Sequence, residues 1–376
     1  MFVSGWIHQS GGDRSQDMVA LDATTRNPSP RSRQANGKVL TLTEANKTLY
    51  VGGEFTSIAG KARNYLAALD TTTANPTAWD PNPNGPVSAV LVAGRTVYVA
   101  GNFTYIGGQV RNGLAALDAV SGMATDWNPN PVGSVRALAV SGDLIFAGGL
   151  FSSIGGQIRN NLAAIDTSTG IATEWNPDAS GLVKILTVAN GQLYAAGEFT
   201  FIAGKVRPRL AALDLTTAAA TDWNPGINSV FINAITVGTS TVYVGGAISP
   251  TVDHGPRDLL ALDITTGVVK NWNPQQQQPY TFALAASGDK VYVGGQFSEI
   301  GGQTRESFAE LDATTGQATK WHPNFRSTDK QGFNPLSSPT AIVATPDTIY
   351  VGGYSYANGQ KIVGYIAFVN LDGSVR

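Results

Sequence analysis

The chain has 376 residues, and its 25 Lys and Arg against 27 Asp and Glu give a formal net charge of −2. This balance argues against broad binding to nucleic-acid phosphates or anionic lipid, because both require a basic surface. Cysteine is absent, which excludes a disulfide scaffold, thiol catalysis and a cysteine-based zinc site. Hydrophobic residues make up 42% of the chain, so a folded core is expected.

The opening segment, Met1-Phe2-Val3-Ser4-Gly5-Trp6, has neither the basic region nor the long apolar region of a secretory signal. Apolar runs elsewhere are far shorter than the roughly 18–20 residues of a spanning helix. We therefore expect no membrane insertion. If the natural protein is exported, we expect its signal to lie outside this sequence.

A repeated unit runs along the chain. The pair Leu-Asp or Ile-Asp recurs every 48 or 49 residues, with Asp at positions 22, 70, 118, 166, 214, 263 and 312. A tryptophan follows nine residues after six of these aspartates: Trp79, Trp127, Trp175, Trp223, Trp272 and Trp321. Each unit also carries a run such as Tyr50-Val51-Gly52-Gly53. Repeats of this length are typical of propellers and solenoids.

Residues 86–131 show what one unit contains. Val87, Ala89 and Leu91 alternate as in a half-buried strand, here called strand a. The runs 97–100, 114–117 and 124–127 follow as strands b, c and d, and each ends in residues that favour turns. Four short strands per repeat, without helical periodicity, predict an all-β fold: a β-propeller of four-stranded antiparallel blades.

The number of blades is predicted from the ends of the chain. Eight copies of strands b and c are present, and the chain begins at a strand b and ends just beyond a strand c. We therefore predict one propeller domain over 1–376 with eight blades, of which the terminal ones are incomplete. Seven blades is the alternative, and it would leave two strands outside the ring. The open edges of incomplete blades predict self-assembly as one kind of partner contact.

The unit resembles two known families. The run Ala116-Leu117-Asp118-Ala119-Val120-Ser121-Gly122 followed by Trp127 is similar to the tryptophan-docking repeat of quinoprotein-type eight-bladed propellers, although its last spacing is one residue longer. The fuller unit, Tyr-Val-Gly-Gly-x-Phe, Leu-Ala-Ala-Leu-Asp and Trp-Asn-Pro, resembles bacterial extracellular propeller repeats of the delta-60 kind, which have no assigned activity. That resemblance implies the fold and an extracellular or cell-surface location, and it implies no reaction.

The repeated residues have structural interpretations. Each indole can pack against the next blade and donate its N–H, with a sugar-stacking platform as the alternative. Each repeated Asp is expected to accept hydrogen bonds from amides of its own turn. An arginine seven residues before the Asp is interpreted as a hydrogen-bond donor between blades, with a ligand clamp as the alternative: Arg63, Arg111, Arg159, Arg207 and Arg305.

Groups that support catalysis are sparse. The three histidines, His8, His254 and His322, occupy unrelated repeat positions without zinc-ligand spacing. No Gly-x-Ser-x-Gly elbow occurs, and quinone enzymes of the family named above carry an adjacent cysteine pair that is missing here. We therefore expect no metal and no cofactor.

The favoured function is a non-catalytic, secreted or cell-surface propeller that acts as a binding or structural module with a protein or glycan partner. The alternative is a quinoprotein-like or carbohydrate-active enzyme that uses the central pocket.

The repeat breaks at four loops in the last third of the chain: 247–258, 275–280, 322–330 and 354–358. In a four-stranded antiparallel blade the b–c and d–a connections emerge on one face, so these loops of three consecutive blades are expected to form one patch. Loops on a rigid scaffold carry binding residues, and Tyr and Arg are typical interface anchors. Neutral drift in surface loops is the other explanation. The predicted ligand- or partner-binding residues are Asp253, His254, Arg257, Tyr280, His322, Phe325, Arg326, Tyr354 and Tyr356.

Overall fold

The computed structural model describes residues 2–4, 18–20, 33–250, 257–275, 280–321, 338–357 and 361–370. Within these ranges every regular element is a β-strand, and no helix could cross a membrane. The strands are, in chain order, β1 (Phe2–Ser4), β2 (Met18–Ala20), β3 (Arg33–Ala35), β4 (Val39–Ala45), β5 (Thr48–Gly53), β6 (Ser57–Ile58), β7 (Lys61–Ala62), β8 (Leu66–Asp70), β9 (Val87–Ala93), β10 (Thr96–Gly101), β11 (Tyr105–Ile106), β12 (Gln109–Val110), β13 (Leu114–Asp118), β14 (Val132–Ser141), β15 (Leu144–Ile154), β16 (Gln157–Ile158), β17 (Leu162–Asp166), β18 (Val183–Ala189), β19 (Gln192–Gly197), β20 (Phe201–Ile202), β21 (Lys205–Val206), β22 (Leu210–Asp214), β23 (Ile227–Val237), β24 (Thr241–Pro250), β25 (Arg257–Asp263), β26 (Tyr280–Ser287), β27 (Lys290–Gln296), β28 (Glu299–Ile300), β29 (Gln303–Thr304), β30 (Phe308–Asp312), β31 (Ser338–Ala344), β32 (Thr348–Ala357) and β33 (Lys361–Asn370).

Each blade is an antiparallel sheet in which strand b is central. In the second blade, for example, Val99 of β10 pairs with Val90 of β9 on one side and with Ala115 of β13 on the other. Strand b is buried on both faces because blades pack against both. This explains why the sequence reads there as a continuous apolar run rather than as an alternation.

The fourth strand of the first six blades is shorter than predicted. In the second blade Leu117 and Ala124 form a single bridge, and the Thr125 N–H donates to the Ala116 carbonyl at 2.9 Å. The chain then leaves the sheet at Trp127, two residues before Pro129. Proline has no N–H to donate, so pairing does not continue along this outer segment.

Seven inner strands form the ring: β4, β9, β14, β18, β23, β26 and β31. Each contacts the next in this order, and β31 contacts β4. At this closure the Thr340 Oγ1 donates to the Val39 carbonyl at 2.6 Å. The described residues therefore form seven blades, and the favoured count of eight is not confirmed. The number of inner strands sets the number of blades. The extra copies of strands b and c are β1 and β2, and among the described residues they pair only with each other.

The ring is also joined at the outside of the last blade. Strand β3 pairs with β33 through Arg33–Ile366 and Ala35–Gly364, and Ala35 also pairs with Ile58 of the first blade. The edge of β33 is therefore covered by an N-terminal strand. Self-assembly through incomplete blades stays a prediction.

The hydrophobic core is divided among the junctions between blades. Seven clusters of buried residues each combine side chains of two successive blades. The cluster at the closure packs Tyr350 and Phe368 of the last blade against Val39 and Leu49 of the first. Close approach at these junctions depends on glycine: a Cβ on Gly52 would lie 2.6 Å from the Val87 Cγ1 of the next blade.

The repeated tryptophans lie inside these junctions, as predicted. Trp127 is 5% exposed, its ring meets Tyr98 edge-on at 5.1 Å, and its Nε1–H donates to the Asp166 carbonyl of the next blade at 2.9 Å. The same bond to the next blade recurs for the other five: Trp79, Trp175, Trp223, Trp272 and Trp321. The sugar-stacking alternative is wrong for these six side chains because all are buried.

The repeated aspartates close their own turns, also as predicted. The Asp166 Oδ1 accepts from the amides of Ser168 and Thr169 at 3.0 and 2.8 Å, and from both hydroxyls. These bonds favour the carboxylate and lower the pKa of Asp166 to about 2.

Among the described residues, the repeated arginines do not donate the hydrogen bonds between blades that the sequence predicts. The Arg111 Nη2 donates to the Thr125 carbonyl at 2.6 Å, within its own blade rather than between blades. Arg63, Arg159, Arg207 and Arg305 make the equivalent bond. The b–c loop that carries the arginine folds back along the outer segment of its own sheet, which brings the guanidinium to that carbonyl.

Candidate functional site

The two faces of the ring are built from different connections. Inner strands begin where second strands end, as shown by the pairing of Tyr280 with Gln296; we call this end the upper face. At the opposite, lower face Thr96 pairs with both Ala93 and Asp118, so the a–b and c–d turns lie together there. The lower face repeats the same aspartate turn in successive blades, whereas the upper face carries the loops that break the repeat.

Four of the nine predicted binding residues lie in described strands, and all four belong to the upper face. Arg257 begins β25 of blade 5 and pairs with Ile248. Tyr280 begins β26 of blade 6. Tyr354 and Tyr356 lie in the extended end of β32 in blade 7. The other five lie outside the described residues: Asp253, His254, His322, Phe325 and Arg326.

Tyr280 and Tyr354 occupy neighbouring blades but have different partners. The ring of Tyr280 lies 6.5 Å from that of Phe231 and 6.3 Å from that of Phe282, with interplanar angles of 9° and 12°. The ring of Tyr354 instead faces the Lys38 Nζ, 5.3 Å from its centroid. Tyr280 is 45% exposed, so one side of the three-ring group is open to solvent. The binding role of all nine residues stays a prediction.

A ring of seven side chains marks the upper end of the inner strands. Each inner strand has a β-bulge at the same place, where one residue has no partner on strand b. The bulge residues are Leu40, Ser88, Arg136, Lys184, Asn233, Phe282 and Thr340. Bulges re-aim side chains at barrel and sheet rims, and at this position each of the seven blades carries a different residue type.

Three of these residues hold the ring together. Ser88, Asn233 and Thr340 each donate a side-chain hydrogen bond to a carbonyl of the next inner strand, at 3.3, 3.1 and 2.6 Å. Arg136 and Lys184 are exposed, and neither forms an ion pair with another described residue. The two cations are therefore available to a ligand.

One carboxyl group at this face is unusual. Asp258 follows Arg257 in β25, and burial raises the pKa of Asp258 to about 6. Its charge therefore changes between mildly acidic and neutral pH. Among the described residues no group of three or more His, Cys, Asp or Glu side chains could hold a metal ion.

The aromatic group and the cation pair are not among the residues predicted from the sequence. All four side chains lie within copies of strand a, where the sequence predicts a regular alternation of buried and exposed residues: Phe231, Phe282, Arg136 and Lys184. Aligning the seven units would have shown that this one position changes from Arg to Lys, Asn and Phe in successive blades. The bulge that exposes it leaves no signal of its own.

Closed packing of repeated antiparallel sheets defines the class: the chain is a β-propeller built from sequence repeats. A family model described as "Domain of unknown function (DUF5122) beta-propeller" matches residues 189–214, which contain β19 and β22 of blade 4. No curated protein matches the sequence.

Two of the solved structures that match the chain have TM-scores above 0.5 and share its architecture. The Pan2 WD40 domain of Neurospora crassa has a TM-score of 0.56 and 14% identity, over 90% of this chain and 95% of that one. The computationally designed Ika8 protein has a TM-score of 0.51 and 14% identity, over 88% and 97%. BamB from Moraxella catarrhalis has a TM-score of 0.45 and 19% identity, over 88% and 85%. At these identities the likeness concerns the fold alone.

Proposed function

We propose that the chain is a non-catalytic binding module, secreted or displayed at the cell surface, that contacts its partner through the upper face. The observation that carries the proposal is the contrast between the two faces. The lower face repeats one aspartate turn, whereas the upper face combines the predicted residues Tyr280 and Tyr354 with unlike side chains at the bulges. A scaffold alone has no need for such asymmetry.

The repeated polar groups support this assignment because the fold itself uses them. Hydrogen bonds within the protein already use three repeated groups: the tryptophan N–H groups, the aspartate carboxylates and the arginine Nη atoms. What is left for a partner is the set that does not repeat. Loops and strand ends on a rigid scaffold are the usual place for such residues.

The proposed location rests on the resemblance to extracellular repeats of the delta-60 kind and on composition. A chain with 14% charged residues and no cysteine suits a bacterial envelope or secreted protein. Fractionation of the source cells tests this part. The tagged full chain should be recovered from the medium or the envelope, and recovery from the cytosol alone would contradict it.

Photo-crosslinking tests the choice of face. A photoreactive phenylalanine derivative replaces Tyr280 on the upper face, or Val120, which is 73% exposed in a lower-face turn, as the matched control. Irradiation of the source cells should give a discrete crosslinked product from the Tyr280 position and much less from Val120. Products from Val120 alone would contradict the assignment.

A further inference from the structure

We propose that the mouth of the ring at the upper face binds an acidic glycan, meaning pyranose rings that carry carboxylate or sulfate groups. The proposal deepens the function given above and rests on it. It concerns five side chains: Phe231, Tyr280 and Phe282, which present aromatic faces, and Arg136 and Lys184, which supply positive charge.

The aromatic part has the shape that sugar rings require. The Tyr280 ring lies at 9° to that of Phe231 and at 12° to that of Phe282, with centroids 6.5 and 6.3 Å apart. These separations are typical of offset-stacked aromatic pairs, which hold the three rings as one platform. Tyr280 is 45% exposed, and its hydroxyl adds a donor and acceptor beside the apolar faces. Flat faces with a polar edge match the apolar face and hydroxyl rim of a pyranose.

The charged part adjoins the aromatic part around the ring. Strands β14, β18, β23 and β26 are consecutive inner strands, and their bulge residues are Arg136, Lys184, Asn233 and Phe282. The amide of Asn233 is already used, since it donates to the Thr281 carbonyl at 3.1 Å. The two cations thus lie on the two inner strands that precede β23, and the aromatic group lies on β23 and on β26, the strand after it. A guanidinium and an ammonium recognise carboxylate or sulfate oxygens directly.

Other anionic macromolecules fit this mouth less well. Nucleic acid needs many phosphate contacts, whereas the chain has a net charge of −2 and only this pair of cations belongs to the bulge ring. The carboxylates of an acidic peptide would pair with the two cations, but the peptide has no sugar rings to stack on the three aromatic side chains. An acidic glycan carries sugar rings and acidic groups along one chain, so it can contact the aromatic group and the two cations together.

Calorimetric titration of the full chain tests the proposal with defined probes. These are a galacturonate hexamer, a sulfated heparin-derived hexasaccharide, the methyl-esterified galacturonate hexamer and a glutamate decapeptide. At least one acidic sugar should bind, with affinity that falls as salt rises, and the neutral ester should bind at least about tenfold more weakly. Comparison of the first two probes identifies carboxylate or sulfate as the preferred group.

Variants locate the binding. The affinity for the acidic sugar should fall by about five- to tenfold in each of three variants: Tyr280→Ala, Arg136→Ala and Lys184→Ala. This is the size expected for one stacking or charged contact. Tyr280→Phe keeps the ring and removes only the hydroxyl, so it should lose less affinity than Tyr280→Ala. Phe201→Ala and Lys61→Ala, at exposed positions of the outer rim, are matched controls and should change nothing. Circular dichroism and thermal melting of each variant verify that it is folded.

Three results would overturn the glycan assignment. The first is that neither acidic sugar binds. The second is that the rim controls lose as much affinity as the mouth variants. The third is that the glutamate peptide binds through Arg136 and Lys184 while the sugars do not, which would assign the mouth to acidic polypeptide. If crosslinking at Tyr280 persists in any of these cases, the proposed function stands and only the ligand class is wrong.

Discussion

Truncation of a junction tryptophan should remove a large part of the stability of the ring. Trp127 is 5% exposed, its ring meets Tyr98 edge-on at 5.1 Å, and its N–H donates to Asp166 of the next blade at 2.9 Å. Emptying a buried site of this size costs about 3–5 kcal/mol. Within that total, the hydrogen bond contributes about 0.5–1.5 kcal/mol and the aromatic pair a similar amount.

Guanidinium denaturation followed by tryptophan fluorescence and circular dichroism measures this loss for Trp127→Ala. Trp127→Phe keeps an aromatic ring and removes the N–H, so it should cost less, about 1–2 kcal/mol. Met123→Ala is the control on the same outer segment, since Met123 is 54% exposed and should change stability by less than about 0.5 kcal/mol. A loss below about 1 kcal/mol for both Trp127→Ala and Trp175→Ala would refute the role of the tryptophans in joining blades.

Three further perturbations test the local structure. Burial raises the pKa of Asp258 to about 6, so the neutral carboxyl stabilises the fold at low pH and this stabilisation is lost as pH rises through 6. Measured by urea titration, the free energy of unfolding of Asp258→Asn should therefore rise by about 1–2 kcal/mol relative to the natural chain between pH 4 and pH 8. A difference that does not change with pH would count against burial of Asp258. The pKa of Asp166 is lowered to about 2, so its contribution is present above pH 4 and is lost as pH falls through 2; the destabilisation caused by Asp166→Ala in thermal melts should be clear at pH 7 and smaller near pH 2. A Cβ on Gly149 would overlap the Ser134 carbonyl oxygen, so Gly149→Ala should cost about 2–3 kcal/mol, whereas Gly156→Ala, at a φ of +77° with open space, should cost about 1 kcal/mol in the same denaturation assay. Equal costs would contradict the close approach of strands a and b.

The architecture could be predicted because every unit repeats its pattern. The spacing of Leu-Asp and tryptophan predicted four-strand units, and the positions of Trp127 and Asp166 predicted their hydrogen bonds correctly. These contacts are local or lie one repeat away, so one sequence displays each of them several times. The partners of the arginines were predicted incorrectly, since the fold of the b–c loop decides them.

Ring closure and the mouth could not be predicted in the same way. Closure depends on which inner strand meets β4, a contact between residues 340 and 39 that occurs once. The alternation of Val87, Ala89 and Leu91 also predicted one buried face, but the bulge at Ser88 shifts the register, and Val87 and Val90 are the buried pair. Because the bulge is invisible in a single repeat, the side chains that it exposes at the mouth went unrecognised.

The order of side chains around the mouth depends on closure of the ring between the seventh blade and the first. The most direct test of this closure is a disulfide introduced across it. The chain has no cysteine, so an introduced pair is the only pair. A Cβ on Gly352 would lie 2.7 Å from the Val39 Cγ1, which places Val39→Cys and Gly352→Cys within disulfide range. The equivalent pair Gly52→Cys and Val87→Cys, between the first two blades, is the positive control at 2.6 Å. We predict that mild oxidation of the folded protein bridges both pairs, seen as altered mobility on non-reducing gels and as linked peptides in mass spectrometry. Bridging of the control pair without bridging of Cys at 39 and 352 would show that another blade separates them, and would contradict the seven-strand ring.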